Sequence, residues 1–119
     1  MKYSESLKKN SDFQQVYRHG TSYANRYLVM YVLKNQYMKN RLGISVSKKV
    51  GNSVVRHRIT RLIRESYRLQ EDLFQKSLDI VVIARPAARG KSFQEIESAM
   101  LHLAKKHHIA GEKNEKTID

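Results

Sequence analysis

The chain has 119 residues, 40% of them hydrophobic, enough for one domain with its own core and little room for a second. Lysine and arginine number 23 against 11 acidic residues, and a net charge of +12 sets a strong positive field around so small a body, pointing to polyanionic partners: nucleic acid first, an anionic membrane surface second. With no cysteine, disulfides and thiolate metal sites are excluded, and the five histidines (His19, His57, His102 and the adjacent pair His107 and His108) show no ligand spacing, so no metal site is expected.

The N-terminal segment MKYSESLKKNSDF lacks the apolar run of a signal peptide, and nowhere do ~18 apolar residues run together as a membrane span requires. Cytoplasmic residence is therefore expected. The first ten residues are polar and read as flexible. Ser11-Asp12-Phe13-Gln14 has the form of a capping box, opening a short helix to about Arg18 with Phe13, Val16 and Tyr17 on one face and Gly20 as its stop. Tyr23 to Leu33 reads as a strand apolar on both faces, with Tyr27, Val29, Tyr31 and Leu33 on one and Leu28, Met30 and Val32 on the other. Asn35 to Asn40 is a polar turn. Arg41 to Ser47 alternates, with Leu42, Ile44 and Val46 on one side and the small residues Gly43, Ser45 and Ser47 on the other. A helix capped by Asn52 or Ser53 should run to about Phe74. Asp79 to Arg85 is a short buried strand ended by Pro86, the single proline, and Ser92 to about His107 is an amphipathic helix with Phe93, Ile96, Met100 and Leu103 in one stripe. One domain over residues 1–110 is expected, followed by a polar, disordered tail over 111–119. Strands grouped between helices in this order indicate an α+β two-layer sandwich.

The densest charge lies between Lys48 and Arg68, where Lys48, Lys49, Arg56, Arg58, Arg61, Arg64 and Arg68 face a single acid, Glu65. At about 100° per residue, Arg58, Arg61, Arg64 and Arg68 fall within one arc of about 120°, with Val55, Ile59, Leu62, Leu69 and Leu73 assigned to the apolar side. A merely solvated face usually mixes signs, because oppositely charged pairs one turn apart support a helix. Here like charges crowd, which costs stability until an anion arrives. The guanidinium fork suits phosphates and stacked bases, and the lead-in Lys48-Lys49-Val50-Gly51-Asn52-Ser53 ends at a helix N-terminus, where backbone N–H groups are natural phosphate ligands and Gly51 permits close backbone approach. This is a nucleic-acid footprint. Strand aromatics and the absence of helix-turn-helix or zinc-finger spacing favour RNA over DNA. No paired carboxylates, metal cluster or nucleophile–histidine spacing suggests catalysis by the protein. His57 among the arginines reads as a surface or backbone-capping residue.

The 25 residues RLGISVSKKVGNSVVRHRITRLIRE from Arg41 to Glu65 closely resemble the signature of the bacterial ribonuclease P protein subunit. The matching positions are Lys49, Gly51, Asn52, Arg56, Arg58, Arg61, Arg64 and Glu65. The likeness extends to Lys9-Asn10, Asp12-Phe13, Gly20-Thr21-Ser22, Ala24-Asn25-Arg26 and Asp79 to Arg85, nearly the whole chain except the tail. Two positions depart from the pattern: His57 stands where the family usually has Asn, and Thr60 where it usually has Lys. The first puts in question the hydrogen bond that Asn makes, and the second removes one phosphate contact.

The resemblance implies an αβββαβα sandwich like that of ribosomal protein S5 domain 2, with a left-handed βαβ crossover around the basic helix, although right-handed crossovers are the general rule. It implies an accessory subunit of an RNA-catalysed endoribonuclease that removes the 5′ leader of precursor tRNA. Mg²⁺ would be bound mainly by the RNA, and no catalytic residue would lie in the protein. Lys48, Lys49, Asn52, Arg56, His57, Arg58, Arg61, Arg64 and Arg68 would meet the catalytic RNA. The single-stranded leader would lie in a cleft formed by Phe13, Tyr17, Arg26, Tyr31, Ser45, Ser47 and Lys48. For Phe13, Tyr17 and Tyr31 two readings stay open, core packing and a stacking platform for unpaired bases. A ribosomal or general RNA chaperone protein of similar fold is the rival that composition alone leaves standing. A membrane-surface protein is disfavoured, since no helix pairs a basic face with a bulky exposed apolar one.

Overall fold

A computed structural model describes residues 1–111; the tail, beyond Gly111, lies outside the described residues. The elements are β1 (Ser4–Ser6), α1 (Asn10–His19), β2 (Thr21–Ala24), β3 (Leu28–Lys34), β4 (Asn40–Ser45), α2 (Ser53–Gln70), β5 (Leu78–Ala84) and α3 (Phe93–Lys106), with short 3-10 turns at Glu71–Leu73 and Pro86–Ala88. The sheet order is β1-β4-β5-β3-β2. β1, β4 and β5 run parallel, and β3 is antiparallel to both β5 and β2. The β4–α2–β5 passage joins adjacent parallel strands, and is the crossover to which the resemblance assigns a left hand.

Alternation along the strands divides the core. Leu28, Met30, Leu42, Ile80 and Val82 face α2 and α3, where Ile59, Ile63, Tyr67, Ile96, Met100 and Leu103 complete the main cluster. Each of these side chains contributes roughly 1.5–3 kcal/mol by leaving water. The odd-numbered neighbours face the other way: Val81 packs with Val16 of α1 and Leu7, joined by half-buried Phe13, Tyr17, Tyr31, Leu33 and Ile83. Helix α1 is short and lies alone on this face, so the face is only partly covered.

Four local expectations change. The N-terminal segment is not free: β1 pairs with β4, Leu7 is buried, and the Glu71 carboxylate accepts hydrogen bonds from the backbone N–H groups of Lys2 and Tyr3, both at 2.8 Å. Helix α1 begins at Asn10 rather than at a Ser11 box; its cap is Lys9, which makes no side-chain bond, while the Lys9 carbonyl accepts from Asp12 and Phe13. A complete capping box stands instead at α3, where Ser92 and Glu95 exchange side-chain and backbone bonds. The long strand from Tyr23 is broken at Asn25, whose Oδ1 accepts from the N–H groups of Tyr27 and Leu28 in place of a strand partner. Tyr27 consequently turns away from Val29 and Tyr31 and packs against the main core. Among the described residues no helix is long and apolar enough to cross a membrane.

Candidate RNA-binding surfaces

The basic helix begins where β4 ends. Ser47 to Val50 form a tight turn, with the Val50 N–H donating to the Ser47 carbonyl at 3.1 Å. Ser47, Lys48 and Lys49 are exposed on it. Asn52 caps α2, its Oδ1 accepting from the Val55 N–H at 3.0 Å. Gly51 has a packing reason: a Cβ there would lie 2.7 Å from Val55 Cγ1.

Along α2, Arg58, Arg61, Arg64 and Arg68 are all exposed, and so is His57, which the 100° step places inside the same arc. The buried side is Ile59, Ile63, Ser66 and Tyr67. It is therefore shifted from the expected stripe: Leu69 is 51% exposed, and Ile63 and Tyr67 take the core positions. Arg56 also leaves the ridge. Two residues before Arg58, it sits about 200° round the helix. It is half-buried, and its Nε is buried with no hydrogen-bond partner among the described residues. Thr60, the second departure from the family pattern, turns its hydroxyl inward to donate to the Arg56 carbonyl at 2.8 Å.

The ridge cations are not equivalent. Arg68 is held by Glu65 through two bonds of 2.7 Å, and its guanidinium keeps the Glu65 carboxyl below the usual range. Arg58 donates to the Lys91 carbonyl at 3.0 Å. Arg61 and Arg64 make no hydrogen bond or ion pair among the described residues. With Glu65 taken up by Arg68, these two unpaired guanidinium groups are the part of the helix most ready for an anion.

The second surface is on the opposite face of the sheet. Phe13 and Tyr17 project from α1 with ring centroids 6.3 Å apart, and Tyr31 of β3 meets Tyr17 edge-on at 5.1 Å. All three rings are half-buried, so they pack with the small core and still show surface. Burial raises the pKa of the Tyr17 phenol, with the nearby Ser45 hydroxyl acting in the opposite direction. Gly43 explains the small-residue face of β4, because a Cβ there would come within 2.7 Å of Phe13 Cζ. The groove floor continues through half-buried Val29, Ile83 and Ser45. Helix α1 is fixed above it by Arg41, which is bound to Asp79 at 2.7 and 2.8 Å and to Asp12 of α1 at 3.3 Å.

Arg26 is exposed in the β2–β3 turn, 5.9 Å from the Tyr27 ring. Around it stand cations that sequence reading left out. The Arg85 guanidinium donates to the Asn25 carbonyl at 2.7 Å, and Lys91 lies 5.5 Å from the other partner, Tyr27. With Arg89 exposed beside Gly90, whose φ of +77° suits glycine, the β5–α3 loop is a third basic segment at this end. The segment RPAARGK carries three cations in seven residues, a signal visible in the sequence itself. Among the described residues no three histidine, cysteine or acidic side chains gather as metal ligands.

A mixed sheet with a basic crossover helix on one face and half-buried aromatic rings on the other makes a small basic α+β protein suited to a polyanionic partner. Comparison with known proteins gives its family. The family model described as Ribonuclease P matches residues 1–108. The ribonuclease P protein component of Lachnoclostridium phytofermentans is 63% identical over 106 residues, covering 89% of this chain and 91% of that protein. That of Alkaliphilus metalliredigens is 53% identical over 106 residues, covering 89% and 96%. The RNase P protein of Staphylococcus aureus superposes with a TM-score of 0.83 at 40% identity, covering 89% of this chain and 97% of that one. The protein from Thermotoga maritima gives 0.80 at 32%, covering 89% and 98%. The chain belongs to the ribonuclease P protein family, and as such it is a component of a tRNA-processing nuclease.

Proposed function

We propose that this chain binds the catalytic RNA of ribonuclease P through the exposed face of α2 and the 5′ leader of precursor tRNA through the aromatic groove, assisting endonucleolytic removal of the leader. The observation that carries the reading is the pair of unpaired guanidinium groups, Arg61 and Arg64, on a helix whose opposite side is core. Lys48, on the turn between the β4 edge of the groove and α2, belongs to both surfaces, and Lys49 beside it to the α2 face. Arg26, Ser45 and Ser47 flank the groove, where backbone phosphates would lie beside bases stacked on Phe13, Tyr17 and Tyr31.

In this reading the protein supplies counter-charge and a hold on the substrate, while the RNA carries the reaction and binds the Mg²⁺ it needs. The expected setting is the cytoplasm. Phosphodiester hydrolysis is assigned to no protein side chain. The test is leader release from precursor tRNA by a bacterial ribonuclease P RNA at low Mg²⁺. The full chain should accelerate release and bind precursor more tightly than mature tRNA. No acceleration, together with equal affinity for the two tRNAs, overturns the assignment and leaves a general RNA chaperone.

A further inference from the structure

A groove of about 490 Å³ runs between α2 and α3, lined by Arg58, Arg61, Leu62, Arg64, Glu65 and Phe93. Its composition is unusual for a charged face: two half-buried apolar side chains form a floor beneath three arginines. Phe93 is the more telling. It opens α3 and falls by helical spacing on the stripe of Ile96, Met100 and Leu103, yet it packs into neither core cluster. Its ring meets no other ring and no cation among the described residues, whereas Tyr17, Tyr23, Tyr27, Tyr31 and Tyr67 all do. Glu65, the single acid in the lining, is neutralised by Arg68. The groove therefore presents one unpartnered aromatic surface, a leucine, and the positive charge of Arg58, Arg61 and Arg64.

We propose that this groove takes one unpaired nucleobase of the RNA partner, stacked on Phe93 over Leu62, with the flanking phosphates on Arg61 and Arg64. The inference rests on the reading of the α2 face as an RNA interface and adds what phosphate contacts alone leave unexplained. A ridge that only neutralised phosphates would need no apolar floor. A nucleotide combines a π-face with an adjacent negative charge, which is the combination the groove complements. An extruded or loop base meets this requirement, and a paired one, hidden in its stack, does not.

Three variants of the full chain, titrated against a bacterial ribonuclease P RNA over a range of salt, test it. Phe93→Leu should weaken binding on the order of 5- to 100-fold at every salt concentration, with the salt slope unchanged. Phe93→Trp should bind as the parent does. Because the chain has no other tryptophan, its emission reports this position alone and should be quenched by the stacked base. Arg61→Ala should instead reduce the salt slope by about one. Parent-like affinity for Phe93→Leu, or unchanged tryptophan emission at saturating RNA, overturns the base-binding groove. If Arg61→Ala still lowers the slope, the arginine face survives that result; if all three variants are silent, the face falls with the groove.

Discussion

The two surfaces are built in opposite ways. The α2 face comes from one continuous segment, and its cations owe their position to a helical repeat. The groove is assembled from α1, β3, β4 and two turns, and every aromatic in it depends on a contact distant in sequence. One surface survives wherever α2 folds; the other exists only while α1 is held to the sheet. On the proposed function, in which the catalytic RNA takes the local feature and the substrate the tertiary one, the two contacts should therefore be separable by mutation.

The sharpest break is at the ion-pair network under α1. Asp79 is buried in β5 and accepts both Arg41 bonds, and Asn35 adds a third at 2.9 Å. Asp79→Ala leaves the Arg41 guanidinium on the sheet with the longer contact to Asp12 and the Tyr37 ring 4.8 Å away. Removing one member of a buried pair costs about 3–5 kcal/mol. Urea unfolding should show that loss, and the folded protein should lose preference for precursor over mature tRNA before it loses the catalytic RNA. Equal loss of both affinities would end the separation of the two surfaces.

Tyr17→Leu and Tyr31→Leu probe the groove with its scaffold left in place. Base–aromatic stacking is worth about 1–3 kcal/mol per base, so each variant should reduce selectivity for precursor tRNA by that amount while its affinity for the ribonuclease P RNA holds. Equilibrium binding to both tRNAs reads it. A fall in thermal stability with unchanged selectivity would show that the rings serve only the small core around Val16 and Val81.

On the other surface, Arg61→Ala and Arg64→Ala should each lower the salt slope of binding to the catalytic RNA by about one, with little effect on unfolding. Arg68→Ala should do less, since Glu65 already occupies that guanidinium in the free protein. A slope equally reduced by all three would mean that the Glu65 pair opens when RNA binds.

The same contrast explains what could be read in the sequence. Helical spacing alone placed Arg58, Arg61, Arg64 and Arg68 on one exposed arc, because 3.6-residue periodicity is local. The same arithmetic sets Arg56 on the core side, where its Nε is buried, but charge density drew it into the ridge. Leu69 departs from expectation for a similar reason: hydrophobicity favours the leucine for the core, whereas it is Tyr67 that is buried, its hydroxyl bonded to Ser4 at 2.7 Å and Asn40 at 3.2 Å. Neither partner is visible from within α2. The break at Asn25 was hidden because a side-chain amide replaced backbone partners in an otherwise strand-like run, and its Nδ2 reaches across to the Ala99 carbonyl of α3 at 3.0 Å. Capping shows the reverse: the Ser11 motif has the right letters, but the helix begins at Asn10 with Lys9 as its cap, two residues after buried Leu7.

Strand β1 carries no hydrophobic pattern; beside its ladder to β4 and the Ser4–Tyr67 bond, one carboxylate holds the backbone that leads into it. Burial pushes the Glu71 carboxyl up, but bonds from the Ser4 side chain and from the Lys2 and Tyr3 N–H groups outweigh it, leaving the group below its ordinary 4.5. The folded protein then holds this proton less tightly than the unfolded chain does. The stabilisation is complete above the ordinary value and drains as pH falls through the lower, folded one. Hydrogen exchange should accordingly show the Leu7 N–H, which donates to the Leu42 carbonyl at 2.8 Å, losing protection below about pH 4.5 while Ile59 and Ile63 of α2 keep theirs. Glu71→Gln should abolish that pH dependence. Since Leu7 lies in the core beneath α1, the loosening should reach Phe13 and the groove and leave the arginine face untouched; α2 amides opening in step with β1 would show that the two surfaces share one cooperative unit.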